Sequence, residues 1–275
     1  MPEMRYEHLP NGDMVPVLGL GTWNMGGGVS PDYSKDDEII KTIQTAIEIG
    51  YSHIDTAEGY GNGHTEELVG EAMKGFSRRD LFITTKVSPS HLEYHDVWKA
   101  IKGSLRRLGT EYVDLYLIHW PNRSTPLENT FRALNELVEE GLVRSLGVSN
   151  FDLKSLQKSQ ELANSPIVTN QVPYNIKDRS YVKNKVLEYC QVSGCILTAY
   201  SPLKDGVLAE EIVRRIARKY GATPAQVAIS WLIRQPKVIT IPKTVNPKRL
   251  QENLDALNLQ LSEEDTERLD YLRGM

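Results

Sequence analysis

The stretch 81-LFITTKVSPSHLEYHDVWKAIKGSLRRLGTEYVDLYLIH-119 decides the fold. It opens on a short apolar run, 81-LFITTK-86, and passes through an amphipathic helical stretch from Tyr94 to Leu108. It then returns to a second apolar run, 113-VDLYLIH-119. A strand, a helix and a second strand in that order predict a βαβ unit and a parallel sheet. The same alternation continues on both sides. Upstream lie 17-VLGLG-21 and 53-HID-55; downstream lie 143-VRSLGVS-149, 167-IVTNQV-172, 195-CILTAYS-201 and 238-VITIPK-243. Helical stretches alternate with them. Asp36 to Gly50 puts Ile39, Ile40, Ile43, Ala46 and Ile47 on one face, and Gly50 stops it. Others run from Thr65 to Lys74, Thr130 to Glu140, Asp152 to Leu162, Val182 to Val192, Ala209 to Tyr220, Thr223 to Gln235 and Pro247 to Leu254. Thr223-Pro224 reads as an N-cap followed by proline at the first helical position.

Eight strand-helix pairs favour a closed (β/α)8 TIM barrel over an open doubly wound sheet. The 275 residues suit one such barrel as a single domain, residues 1–275, because the fold takes about 250 residues. The segment from Tyr6 to Val17 falls outside the alternation. It carries Asn11-Gly12-Asp13 between extended runs, which predicts a β-hairpin capping the barrel bottom.

Composition narrows the function. Hydrophobic residues make up 40% and charged residues 25%, as in ordinary soluble globular proteins. The net charge of -4 argues against a nucleic-acid partner, which usually demands a basic face. The two cysteines, Cys190 and Cys195, are too few for a disulfide scaffold and lack a second pair for zinc, so no metal is expected. The first ten residues lack a signal-peptide core, and no apolar run reaches the roughly 18 residues of a membrane span. The expectation is a cytoplasmic protein without a membrane partner.

In an α/β barrel the chemistry stands at the C-terminal ends of the strands. There the sequence places Asp55, with Tyr60 five residues on, then Lys86 and His119. This set has the logic of a carbonyl reduction. Tyr60 can give a proton to the new alkoxide as general acid, although an unperturbed phenol has a pKa of about 10. A nearby ammonium, Lys86, is expected to lower that value. Asp55 can hold Lys86 charged and oriented, and His119 can hydrogen-bond the carbonyl oxygen. Each residue alone has a plainer reading: a structural ion pair for Asp55 and Lys86, packing for Tyr60, a core histidine for His119. Their joint occurrence at consecutive strand ends raises the set above those readings.

These residues resemble the aldo-keto reductase family. The matching pieces are 50-GYSHIDTAEGYGN-62, 83-ITTK-86, 116-YLIHWP-121, 147-GVSNF-151, 170-NQVPYN-175, 199-AYSPL-203 and 241-IPKTVNPKRLQEN-253, in family order along nearly the whole chain. The resemblance implies a (β/α)8 barrel, an NADPH cofactor, and Asp55, Tyr60, Lys86 and His119 as the catalytic tetrad. It places Gly21, Thr22 and Trp23 near the nicotinamide. Ser149, Asn150 and Gln171 would hold its carboxamide, with groups that both donate and accept. Tyr200 would stack on the ring, and Ser201 and Leu203 would touch the pyrophosphate. Ile241 and Lys243 close the last apolar run, and Thr244, Val245, Asn246 and Arg249 follow it. Among them Arg249 and Lys243 would grip the 2′-phosphate, a group that favours cationic donors and a helix N-terminus. Glu252 and Asn253 would contact the adenine. Glu252 leaves room for NADH as a weaker alternative. No strand is followed by the G-x-G-x-x-G of a Rossmann setting.

The loop after His119, Trp120 to Pro126, and the loop after Tyr200 are both short. In this the chain is similar to short-loop microbial members of the 2,5-diketo-gluconate reductase type. An open mouth lined by Trp23, Trp120, Tyr60 and His119 is expected to take small-molecule carbonyls: aldehydes, α-dicarbonyls, sugars or keto acids. The glycine-rich loop from Asn24 to Tyr33 reads equally as a lid or as a connector. A monomer is expected. Two other readings stand beside the reductase: an NADPH-binding sensor with slow turnover, and an aldolase using Lys86 as a Schiff base, which a neighbouring Asp55 would oppose.

Overall fold

A computed structural model describes residues 2–272, so both ends of the 1–275 span lie outside it. Two antiparallel strands come first, β1 (Tyr6–His8) and β2 (Met14–Pro16). Eight parallel strands follow: β3 (Leu20–Gly21), β4 (His53–Asp55), β5 (Phe82–Val87), β6 (Val113–Ile118), β7 (Val143–Ser149), β8 (Ile167–Pro173), β9 (Ile196–Tyr200) and β10 (Val238–Thr240). They pair in sequence order from β3 to β10. The ring closes where Leu18 bridges Thr240 in parallel, with Gly19 N donating to Thr240 O at 2.9 Å and Thr240 N to Val17 O at 2.9 Å. The expected barrel is therefore present. Closure explains why 17-VLGLG-21 yields only two residues paired to β4: its first half turns its hydrogen bonds to β10. Gly21 is required at this seam, because an added Cβ would lie 2.6 Å from the Ile241 carbonyl oxygen.

The helices are α1 (Asp36–Glu48), α2 (His64–Met73), α3 (Tyr94–Leu108), α4 (Leu127–Glu139), α5 (Leu153–Leu162), α6 (Ser180–Lys183), α7 (Val186–Ser193), α8 (Glu211–Tyr220), α9 (Pro224–Ile233), α10 (Pro247–Asp255) and α11 (Glu263–Asp270). They cover the outside of the barrel, so a strand such as β6, VDLYLI, is buried at every residue. Thr223 caps α9 as expected: its Oγ1 accepts from Gln226 N, and its own N–H donates in return to Gln226 Oε1. Two differences from the sequence reading appear. The stretch from Val182 to Val192 is two helices, broken where Lys185 adopts a left-handed conformation (φ 66°). The break lets Val186 and Leu187 turn inward, whereas α6 buries nothing. The second difference is α11, which the sequence reading passed over. Ser262 caps it through a bond from Asp265 N, and Leu269 anchors it.

The hairpin covers the end of the barrel where the parallel strands begin. Leu9 N donates to Asp13 O at 2.8 Å, so the turn runs from Leu9 to Asp13 and contains the expected Asn11-Gly12-Asp13, with Gly12 at φ +93°. Asn11 Nδ2 bonds Ser145 Oγ of β7 at 3.0 Å, and Leu9 and Val15 are buried beneath. The opposite end stays open. No helix among the described residues is long and apolar enough to cross a membrane.

Candidate active site

Strand register brings the four expected residues together. Asp55, the last residue of β4, pairs with Thr84 of β5. Side chains alternate along a strand, so Lys86, two residues further, shares the inward face. His119 follows β6 directly, with its N–H donating to Val87 O at 3.0 Å. Tyr60 opens a tight 3-10 turn, Tyr60–Gly63, in which Gly61, Asn62 and Gly63 have φ of 54°, 52° and 96°. That succession of left-handed residues swings Tyr60 back over the strand ends.

At the floor, Lys86 Nζ donates to Asp55 Oδ1 at 2.7 Å, to Thr56 O at 2.7 Å and to Tyr60 Oη at 3.2 Å. Lys86 is 0% exposed and Asp55 1%. Burial opposes the Lys86 charge, but Asp55 and Tyr60 outweigh it and its pKa is raised, so the ammonium persists. Burial also dominates at Tyr60 and raises its pKa above the ordinary phenol value; the lowering by Lys86 is smaller. The expectation that Lys86 would bring Tyr60 down is thus corrected: desolvation of the phenolate wins, and Tyr60 is a neutral phenol. His119 is pushed down to about 3, by burial first and by the Lys86 charge second, so its imidazole is neutral. The Trp23 and Tyr60 rings meet edge to face at 4.9 Å, and those of Tyr60 and His119 at 5.5 Å.

Above this floor opens a cavity of about 520 Å³. Asp55, Tyr60 and His119 line it, while Lys86 stands behind them. Gly21, Thr22, Trp23, Trp120, Ser149, Asn150, Gln171, Tyr200, Ser201, Leu203, Ile241 and Lys243 line it too, all expected from sequence. Trp23 and Trp120, 47% and 48% exposed, stand at the mouth. One wall is a continuous polar chain. Gln171 Nε2 donates to Asp55 Oδ2 at 2.7 Å, Ser149 Oγ to Gln171 O at 2.8 Å, Asn150 Nδ2 to Ser149 Oγ at 2.9 Å, and Tyr200 Oη to Asn150 Oδ1 at 2.8 Å. The Tyr200 ring is thereby held upright as a side of the cavity.

Thr244, Val245, Asn246, Arg249, Glu252 and Asn253 do not line that cavity. They surround the start of α10, beyond Lys243. Asn246 caps this helix by accepting from Lys248 N and Arg249 N, and Lys243 and Arg249 are exposed beside it. Thr244 and Asn253 are buried. Glu252 is engaged elsewhere: its Oε1 accepts from Thr223 Oγ1 at 2.6 Å, tying α10 to the cap of α9. Three lining residues escaped the sequence reading: Pro202, Lys204 and Pro242. Lys204 was within reach of it, since it follows Leu203 in the loop after Tyr200. Backbone strain gathers at this rim. Asn24, Asn62, Asn150, Ser201 and Asp205 all have φ between 52° and 63°, a conformation that costs stability for residues with a side chain.

The sequence model of the Aldo/keto reductase family matches residues 17–273. A glyoxal reductase of Bacillus subtilis (strain 168) is 37% identical over 267 residues, covering 96% of this chain and 91% of that protein. Among solved structures, the thermostable aldo-keto reductase Tm1743, in complex with the inhibitor epalrestat, superposes with a TM-score of 0.95. It is 49% identical, covering 97% of this chain and 99% of that one. An aldo-keto reductase from Klebsiella pneumoniae, in complex with NADPH, superposes with a TM-score of 0.89. It is 34% identical, covering 99% of this chain and 96% of that one. The barrel, the residues at its rim and these similarities together show that the chain belongs to the aldo-keto reductase family.

Proposed function

We propose that the protein reduces small aldehydes and ketones to alcohols with NADPH, and that Tyr60 supplies the proton. The observation that carries this reading is the position of Lys86 Nζ, 2.7 Å from Asp55 Oδ1 and 3.2 Å from Tyr60 Oη at the cavity floor. Tyr60 is a neutral phenol in a buried site, which is the form a proton donor needs. When its Oη–H passes to the developing alkoxide, the phenolate left behind faces a fixed ammonium, so the charge formed in the transition state meets a preorganised partner. Neutral His119 can donate one hydrogen bond to the carbonyl oxygen and fix it beside Tyr60.

The cavity fits a nicotinamide dinucleotide. Ser149, Asn150 and Gln171 offer amide and hydroxyl groups at one end, and Tyr200 offers an aromatic face beside them. Ser201, Leu203 and Lys204 line the middle. Lys243 and Arg249 put two cations beside the Asn246-capped start of α10, where an extra phosphate is favoured. With its nicotinamide held at the Ser149, Asn150 and Gln171 end, such a cofactor would supply the hydride for the carbonyl carbon. The Klebsiella relative's NADPH complex supports the choice of cofactor.

For the substrate, the glyoxal reductase relative supports small α-dicarbonyls. The half-exposed Trp23 and Trp120 leave the mouth open enough for other aldehydes. The Schiff-base reading loses to the same geometry, because a lysine held charged by Asp55 is no nucleophile. Loss of NADPH absorbance with glyoxal, methylglyoxal, an aromatic aldehyde and a simple ketone, repeated with NADH, tests the proposal. Turnover with NADPH across the aldehydes is expected. Tight NADPH binding with no turnover would favour a sensor instead.

A further inference from the structure

We propose that His64 is a positioning residue, which holds the Trp23 wall of the substrate cavity against Tyr60 by anchoring the glycine-bearing loop of residues 24–33. This rests on the carbonyl-reduction reading of the same cavity. It assigns the loop a role as a fixed buttress.

The loop is locked to the Tyr60 turn. Gly61 N donates to Gly28 O at 2.6 Å, and a Cβ at Gly61 would lie 2.7 Å from Gly26 O. Thr65 Oγ1, on α2, donates to the carbonyl of fully buried Met25 at 2.6 Å. Gly28 sits against the Trp23 ring, 4.0 Å from the place a Cβ would take. Trp23 in turn meets the Tyr60 ring at 4.9 Å. Gly26 and Gly27 have φ of 78° and 108°, so the loop's path depends on them.

His64 lies under this loop, its side chain 7% exposed. Its Nε2 is 2.9 Å from Asp36 Oδ1 of α1, and its Nδ1 is 3.1 Å from Glu67 Oε2 of α2. Tyr33, in the loop, packs on the ring at 4.3 Å. A Cβ at Gly26 would touch the imidazole Cδ2 at 2.9 Å, so the glycine lies flush on the ring. An imidazole with a carboxylate at each nitrogen satisfies both only when both nitrogens carry protons. The neutral ring would turn a lone pair towards a carboxylate oxygen.

The charged groups around it are Asp32 in the loop, Asp36 at the start of α1, and Glu67 on α2; Lys35 acts on Asp32, and Arg107 of α3 packs on neighbouring Gly63. The N-terminal position of His64 in α2 disfavours its charge. Burial opposes the charge most, but the bonds and charges of Asp36 and Glu67 together exceed it and the pKa is raised. The clamp is therefore closed at low pH and lost as pH rises through that raised value.

The test is the KM of a turned-over aldehyde at saturating NADPH, measured against pH for wild type and His64→Gln. Trp23 emission is followed without substrate and assigned by subtraction of Trp23→Phe. In wild type, KM is expected to rise at least about five-fold with pH, the lower end of coupling between two sites. The kcat should change far less, with a matching step in Trp23 emission. His64→Gln should show the high KM throughout and no step. Asp36→Asn, with the imidazole kept, should flatten both profiles if His64→Gln does not fold. A variant whose KM and emission follow the wild-type pH profile would overturn the proposal. An emission step absent from His64→Gln, in a protein that turns over no carbonyl, would instead sink the reductase reading and leave the clamp standing.

Discussion

Gln171 of β8 donates from Nε2 to Oδ2 of Asp55 on β4 at 2.7 Å, across the mouth of the barrel. The two strands stand four places apart in a ring of eight, so the bond crosses its full width. The other oxygen of the same carboxylate holds Lys86. A residue expected to touch only the cofactor therefore also orients the charge pair beneath Tyr60. Gln171→Met should cost about 2 kcal/mol, the usual worth of a hydrogen bond to a buried charge. Urea unfolding measures it, and an unchanged midpoint would show that Asp55 is held by Lys86 alone.

The Asp55 and Lys86 pair is buried, so removing one partner strands the other. Asp55→Asn and Lys86→Met should each destabilise the fold by about 3–5 kcal/mol. The double variant should lose clearly less than the sum of the two. A cycle of four unfolding curves, wild type included, decides this, and additivity would mean that the pair does not interact as its distance says.

Two histidines held neutral in the fold, buried His53 and partly buried His119, set the acid limit. His53 is held down to about 4 by burial, and His119 to about 3 by burial and Lys86. The unfolded chain takes up these protons near pH 6.5. Their contribution to stability is whole above that pH and is lost as pH falls from about 6.5, towards about 4 for His53 and about 3 for His119. Thermal unfolding at pH 7 and pH 5 should show the loss, and His119→Asn should show a smaller one. No ionisation of His119 should appear in the activity profile between pH 5 and 8.

Arg249 is exposed at the start of α10, and Lys243, also exposed, precedes that helix. Arg249→Ala should raise the KM for NADPH by about ten-fold or more, the scale of a lost charged hydrogen bond of ~1.5–3 kcal/mol. The KM for NADH should move far less. Equal weakening of both cofactors would show that Arg249 does not serve the 2′-phosphate.

Much of this was legible in the sequence because each signal was local. The period of Asp36 to Gly50 marks a helix, and 113-VDLYLIH-119 reads as a buried strand ending on a candidate site residue. Strand ends then place Asp55, Lys86 and His119 on one rim. What stayed hidden depends on long-range packing. The fate of Glu252 is decided by Thr223, 29 residues away. The break at Lys185 has no glycine or proline to announce it. The pKa of Tyr60 follows from how deeply the turn buries it, which a lysine nearby in sequence logic does not reveal. The α11 cap, Ser262 before three acidic residues, was readable and was passed over.

The most direct measurement compares wild type with Tyr60→Phe for NADPH oxidation by methylglyoxal, alongside NADPH affinity from fluorescence titration. If Tyr60 is the general acid proposed above, its loss should lower kcat by about a hundred-fold or more while cofactor affinity stays within about two-fold. A Tyr60→Phe enzyme that reduces the carbonyl at the wild-type rate would contradict the account at its centre.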